Sequence, residues 1–237
     1  MNCYGQAASD RLPRIEEHPL SSSEIMPTPT NHTLPFRGAD FATLTEALDY
    51  AAKGDTGANF YTGRGAIYSA VSYGELREKA IAMAHKLQSL GLEPGSRVAL
   101  VAETNPDFLS FFYACQYAGL IPVALPASVK VGAHHAYVAQ LQRLLEASDA
   151  AIAVASEGYL PFLLEASEGL GMRMVDKPEA FEALPANDQP LPKISSTDIS
   201  YIQYTSGSTR FPRGVVIKHE TALANLQGII SHGLMMN

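Results

Sequence analysis

The sequence predicts an α/β fold in which a parallel sheet is flanked by helices. Three observations lead there. Short, nearly continuous apolar runs recur along the chain, as expected of strands buried on both faces. Between them lie stretches with apolar residues at helical spacing. The boundaries carry helix punctuation: Ser72 and Glu75 form an S-x-x-E capping box, Asn105-Pro106 opens a second helix, and Gly91 closes the first. Repeated strand–helix units of this kind imply right-handed crossovers that cover the sheet on both sides.

The elements follow in order. Residues 1–40 carry five prolines and the run Ser21-Ser22-Ser23 without sustained periodicity, and are expected to be a loosely ordered N-terminal extension. Leu44, Ala47, Leu48 and Ala51 make one apolar helical face. Phe60–Tyr61 and Ile67–Val71 read as a hairpin around Gly63-Arg64-Gly65. After Ser72, the residues Leu76, Ala80, Met83, Leu87 and Leu90 repeat at helical spacing, with Arg77, Glu78, Lys79 and Lys86 on the other face. Val98–Ala102 is a strand, and Asn105-Pro106 caps a helix to about Ala118. A strand at Ile121–Leu125 precedes a helix marked by Tyr137, Leu141, Leu144 and Leu145. Then come a strand at Ala151–Ala155, a helix at Tyr159–Ala166 and a strand at Met172–Val175. A Pro-rich loop from Lys177 to Lys193 leads to a last strand, Ile199–Tyr204; a return strand at Val215–Ile217 and a helix from Thr221 complete the chain.

At 237 residues the chain can bury a substantial core, and its 46% hydrophobic and 17% charged residues fit a globular protein. The formal charge of −7 argues against nucleic acid, whose backbone rewards clustered Lys and Arg. The cysteines Cys3 and Cys115 are too few and too separate for a disulfide framework, which favours a cytoplasmic location. The first twenty residues lack the apolar core of a secretory signal. From Phe108 to Val129 no residue is charged, but Gly119, Pro122 and Pro126 divide the run into helix, turn and strand, so no integral membrane segment is expected.

The chemistry concentrates in QYTSGSTRFPRGVV, Gln203–Val216. It lies beyond the carboxyl end of a strand, where ligands of open α/β sheets gather. Glycine lets backbone N–H groups turn toward an anion, and the hydroxyls of Thr205, Ser206, Ser208 and Thr209 add donors. Arg210 and Arg213 supply charge suited to a phosphate. A Walker A loop is excluded on spacing and context, because Gly207 and Gly214 stand seven positions apart and a strand follows, not a helix. Composition alone also allows a polar surface turn.

The string YTSGSTRFPRGV resembles the phosphate-binding signature of adenylate-forming enzymes, the superfamily of acyl-CoA synthetases, luciferases and peptide-synthetase adenylation domains. That signature usually runs Y/F-T-S-G-S/T-T-G-x-P-K-G-V with a histidine shortly after, and His219 occupies that place. The upstream segment GLEPGSRVALVAETNPDFLSFFYACQYAGLIPVAL follows the family's order as well, so the likeness extends from about Phe41 to the end. Arg210 stands where glycine is usual and Arg213 where lysine is usual. That form is similar to the fatty acyl-AMP ligase branch, which the preceding Tyr201-Ile202-Gln203 also suits.

The resemblance implies that residues 41–237 are the N-terminal portion of an AMP-binding large domain, truncated at the C-terminus. It implies that Thr205, Ser206, Gly207, Ser208, Thr209, Arg210, Arg213 and Gly214 bind ATP phosphates, with His219 in the active-site vicinity, though a structural role suits His219 better. The substrates implied are ATP with Mg²⁺ and a fatty acid. The acceptor implied is an acyl carrier protein or a polyketide or nonribosomal peptide synthase carrier domain, with CoA as the alternative. The Mg²⁺ ligand, the ribose-binding aspartate and the catalytic lysine would lie outside this chain, and the isolated fragment is expected to be inactive. A non-catalytic phosphate-binding fragment is the reading from outside catalysis.

Other residues carry less. His134-His135 point about 100° apart on a helix and have no cysteine or carboxylate at ligand spacing, so no metal site is expected. Gly63-Arg64-Gly65 lacks the third glycine of a dinucleotide fingerprint. Phe108, Phe111, Phe112 and Tyr113 read as core residues, with an acyl channel as the alternative, and Cys115 as an inert core thiol.

Overall fold

Among the described residues six strands form one sheet in the spatial order β6 (Met174–Asp176), β5 (Ala150–Val154), β3 (Arg97–Val101), β4 (Ile121–Leu125), β7 (Ile199–Thr205) and β8 (Arg213–Lys218), five of them parallel and the edge strand β8 antiparallel to β7. The computed structural model describes residues 34–127, 133–205 and 212–233. Its elements are α1 (Leu44–Ala51), β1 (Gly57–Tyr61), β2 (Ile67–Ser72), α2 (Tyr73–Gln88), β3 (Arg97–Val101), α3 (Pro106–Tyr117), β4 (Ile121–Leu125) and α4 (His134–Ser148). Then follow β5 (Ala150–Val154), α5 (Leu160–Ser167), β6 (Met174–Asp176), α6 (Pro178–Glu182), β7 (Ile199–Thr205), β8 (Arg213–Lys218), α7 (His219–Gly228) and a π turn, Ile229–Gly233. β1 and β2 make a separate antiparallel hairpin.

The central strands are apolar on both sides because helices cover both sides. Along β3, Val98 and Leu100 join one core with α2, α3 and Phe181, while Ala99 and Val101 join the other with α4 and α5. β5 divides in the same way, Ile152 and Val154 against Ala153. This is the period-2 consequence of a strand sandwiched between helical layers. β3 connects through α3 to β4 on one side, and β4 connects through α4 to β5 on the other. The carboxyl ends of β3 and β5 therefore form a topological switch point.

Local chemistry sets the element ends. Ser72 Oγ accepts from the Glu75 amide at 3.1 Å and Glu75 Oε2 accepts from the Ser72 amide at 2.9 Å, so the capping box is complete. Asn105 Oδ1 caps α3 by accepting from the Phe108 amide at 2.9 Å, with Pro106 in the first turn. α3 ends in a Schellman motif: Gly119 sits at φ 71°, its amide donates to Gln116 O, and the Leu120 amide donates to Cys115 O. The next residues start β4, so the uncharged run is a twelve-residue helix, a turn and a five-residue strand. Among the described residues no helix is long and apolar enough to cross a membrane.

Two polar ties lock the layers. Arg97 at the start of β3 donates to Ser148 O at 2.8 Å and Asp149 O at 2.7 Å, and pairs with the Asp149 carboxylate; a cation there answers the negative end of α4. Tyr117 of α3 donates to Asp49 Oδ1 of α1 at 2.7 Å, and Arg77 of α2 donates to the same oxygen at 2.5 Å. Burial, then the Asp49 carboxylate, push the Tyr117 hydroxyl's pKa upward.

The structure adds an element that the sequence reading lacks. Inside the Pro-rich loop, Pro178–Glu182 forms α6 and buries Phe181 completely, edge-on to Phe111 with ring centroids 5.6 Å apart. Cys115 is fully buried and free, and burial raises its thiol pKa well above the usual range.

Candidate functional site

β7 carries the candidate site to the carboxyl edge of the sheet. Val123↔Ile202 and Ala124↔Gln203 set its parallel register on β4, and the strand runs on to Thr205. The chain returns antiparallel as β8, with Thr205 opposite Arg213 and Tyr204 opposite Gly214. The excursion is thus closed at its foot by Thr205, Arg213 and Gly214, all exposed, with Thr205 Oγ1 3.5 Å from Arg213 O. Ser206, Gly207, Ser208, Thr209 and Arg210 lie outside the described residues.

A residue not singled out from the sequence anchors this foot. Tyr204 donates its hydroxyl to Leu144 O of α4 at 3.1 Å, and burial raises its pKa. Its ring lies over Gly214, where an added Cβ would come within 3.2 Å of both Tyr204 Cε1 and Ile202 Cγ2. A glycine opposite an aromatic side chain allows that close approach. The sequence signal was available, since tyrosine directly precedes the TSG triplet.

His219 lies five residues beyond Gly214 at the start of α7 and is 1% exposed. Its Nδ1 accepts from the Leu44 amide at 3.1 Å, which assigns the proton of the neutral ring to Nε2. Burial lowers its pKa, with Asp198 acting weakly the other way. Asp198 O also accepts from the His219 amide at 3.2 Å, and Ser196 O from the Glu220 amide at 2.9 Å, so the turn before β7 satisfies the first amides of α7. The histidine fastens α7 to the first helix of the fold.

A crevice opens at the switch point, lined by Val101, Glu103, Asp107, Phe108, Val154 and Ser156. Burial, then Glu182 and Glu179, raise the pKa of Asp107. A crevice walled by carboxylates disfavours phosphate, whereas Thr205, Arg213 and Gly214 bring a hydroxyl, a guanidinium and a glycine backbone to the end of the β7–β8 pair. The pair His134-His135, for which the sequence offers no nearby carboxylate, meets Glu165 of α5 in the fold.

Comparison with known proteins places this architecture. A family model described as AMP-binding enzyme matches residues 48–236. A putative acyl-CoA synthetase of Caulobacter vibrioides is 38% identical over 218 residues, covering 90% of this chain and 37% of the relative. A long-chain-fatty-acid–AMP ligase of Mycobacterium marinum is 30% identical over 181 residues, covering 73% of this chain and 27% of the relative. Among solved structures, one from a study of fatty acyl-adenylate ligases from E. coli and L. pneumophila superposes with a TM-score of 0.81 at 43% identity, covering 86% of this chain and 37% of that one. The chain therefore spans only 27–37% of the length of these relatives. With the model matching most of its residues and the same α/β sheet recurring in fatty acyl-adenylate ligases, the chain belongs to the AMP-binding enzyme family.

Proposed function

We propose that this chain supplies the phosphate-gripping part of a ligase that activates a fatty acid as its acyl-adenylate. The observation that carries the reading is the excursion after β7. β7 ends at Thr205 on the carboxyl edge of the sheet and β8 resumes at Arg213, with Tyr204 and Gly214 packed at that foot, and the sequence between them is rich in hydroxyl, glycine and arginine residues. In this reading residues 41–237 are part of the adenylating large domain and residues 1–40 an extension to it.

A fatty-acid carboxylate oxygen attacks the α-phosphorus of ATP, the bond to the bridging oxygen breaks, and pyrophosphate leaves. The attacking group needs no general base because it is already ionised near neutral pH. Thr205, Ser206, Ser208 and Thr209 offer hydroxyl donors, Gly207 and Gly214 allow close backbone approach, and Arg210 and Arg213 meet charge building on the leaving pyrophosphate. Mg²⁺, held by residues outside this chain, supplies Lewis-acid polarisation of the phosphate oxygens when bound. A thiol then attacks the acyl carbonyl and releases AMP.

Arg210 at the position usual for glycine favours the acyl-AMP ligase branch, in which that thiol belongs to the phosphopantetheine arm of a carrier protein or carrier domain. CoA is the second reading, favoured by the acyl-CoA synthetase relative from Caulobacter vibrioides. One experiment tests both. A longer protein containing this chain is incubated with ATP, Mg²⁺ and medium- and long-chain fatty acids, then offered CoA or a phosphopantetheinylated carrier protein, and the acyl products are separated by chromatography. Acyl-adenylate with carrier loading and little CoA thioester is expected. Efficient acyl-CoA formation overturns the acceptor, and failure to form any adenylate overturns the function.

A further inference from the structure

Away from the phosphate excursion, the start of α4 and the side of α5 bring together an imidazole pair and a carboxylate. One ring nitrogen of His134, one of His135 and a carboxylate oxygen of Glu165 all lie within 4.8 Å of one another. His134 Nε2 and Glu165 Oε2 are 2.6 Å apart, joining residues 31 positions distant in sequence. All three side chains are exposed, so an ion can enter from solvent.

The arrangement has supports beyond proximity. The His134 ring lies 5.0 Å from Phe162, one turn before Glu165 on α5, and Phe162 in turn packs edge-on to Tyr137 at 5.4 Å. That stack fixes the imidazole beside the carboxylate. His135 stands edge-on to His134, with ring centroids 5.3 Å apart, which brings its nitrogen toward the same point despite the 100° step along the helix. Residue Ala133 gives α4 no side-chain cap, so the first turn lacks the usual local fastening.

We infer that His134, His135 and Glu165 form a surface site for a first-row divalent cation, most simply Zn²⁺, that clips α4 to α5. Zinc takes imidazole nitrogen at about 2.0–2.1 Å and carboxylate oxygen at about 2.0–2.2 Å in tetrahedral geometry. Neighbouring ligand atoms then stand about 3.3 Å apart. The His134–Glu165 contact must open slightly, and rotation of the exposed side chains adjusts the other separations, which lie within 4.8 Å. On binding, the metal takes the place of the hydrogen bond between His134 Nε2 and Glu165, and the neutral His134 ring carries its proton on Nδ1. Three protein ligands leave the fourth position to water. Two imidazoles among the donors select zinc or copper over magnesium, which separates this site from any Mg²⁺ used with ATP. The carboxylate offsets the partial positive charge of the α4 N-terminus.

The test uses the 237-residue chain stripped of metal with a chelator. Zinc uptake is measured by competition against a chromophoric indicator, and thermal melts are run with and without zinc. Glu165→Gln and His135→Ala should each weaken the affinity of one bound zinc by about tenfold to a hundredfold or more, since loss of a ligand costs at least what loss of a ligand's supporting contact does. His85→Ala, a histidine outside the cluster, should change nothing. Zinc in hundredfold excess over its dissociation constant should raise the Tm of the wild type and not that of Glu165→Gln. Equal zinc uptake by wild type, Glu165→Gln and the double variant His134→Ala/His135→Ala would overturn the site, as would no uptake by the wild type. Magnesium bound as tightly as zinc would overturn the assignment of metal class.

Discussion

Replacing Gly214 by alanine tests how tightly the foot of the β7–β8 excursion is packed. Gly214 does not have a positive φ, so an alanine backbone fits there and reduces the freedom of the unfolded chain, a gain of about 0.4–1 kcal/mol. Against that, the new methyl would stand 3.2 Å from Tyr204 Cε1 and 3.2 Å from Ile202 Cγ2, inside the roughly 3.5–4.0 Å of ordinary carbon contacts. The ring cannot simply swing aside, because its hydroxyl is held by Leu144 O at 3.1 Å. Overpacking of this kind costs about 1–3 kcal/mol, so a net loss of roughly 0.5–2 kcal/mol is expected. For a domain of this size that lowers Tm by about 2–4 °C per kcal/mol. Calorimetry on Gly214→Ala, Tyr204→Phe and the double variant separates the causes. With the hydroxyl gone the ring can tilt, so alanine should cost less in the Tyr204→Phe background, with a coupling of about 0.5–1 kcal/mol. A Gly214→Ala protein as stable as wild type, or strictly additive costs, would refute the packing account.

Further outcomes follow from the same geometry. His219 has a lowered folded pKa, so between its unfolded value and that lower folded value the unfolded chain binds the extra proton; stability should be complete above about pH 6.5, fall as the pH drops through that window, and lose this dependence in His219→Leu when melts are compared across pH. Gly119→Ala combines a left-handed backbone, costing about 1–2 kcal/mol, with a Cβ 3.0 Å from Pro192 Cγ, and urea titration should show a total loss of about 2–3 kcal/mol. Tyr117→Phe removes the hydroxyl that joins α3 to Asp49, and the denaturation midpoint should report about 1–2 kcal/mol. In a longer active protein, Arg210→Ala should weaken ATP use by roughly ten- to a hundredfold, because charge-assisted bonds are worth about 1.5–3 kcal/mol; unchanged kinetics would remove Arg210 from phosphate binding.

Much of this fold is legible in the sequence because its signals are local. β4 falls on the predicted residues, while β3, α3 and α5 shift by a residue or two, since apolar runs and an Asn-Pro start mark them directly. Helix α7 begins at His219, not at the predicted Thr221, because the first amides of the helix are satisfied by backbone carbonyls of the 196–198 turn that no sequence window contains. α6 is hidden by its proline: Pro178 reads as a breaker, yet it occupies the first helical position, where a missing N–H costs nothing. The same division runs through the candidate sites. The YTSGST string announces itself as a contiguous motif. Glu165 could not be paired with His134-His135 from spacing, because the packing of α4 on α5 and not the chain brings them together.

The hydrogen bond from the Leu44 amide to His219 bears on the order in which the molecule assembles. Its partners are separated by 175 residues, and β3 to β6 with their helices are made in between. Closing so long a loop is costly before intervening contacts exist, so this fastening belongs to the late part of folding. Substitutions at His219 should accordingly speed unfolding more than they slow folding. On the ribosome the delay is physical: at about 5–20 residues per second, α1 has been synthesised roughly 9–35 seconds before the histidine that holds it. Throughout that interval the Leu44 amide must find another partner, water or a chaperone, and α1 stands without the ring that later fixes it.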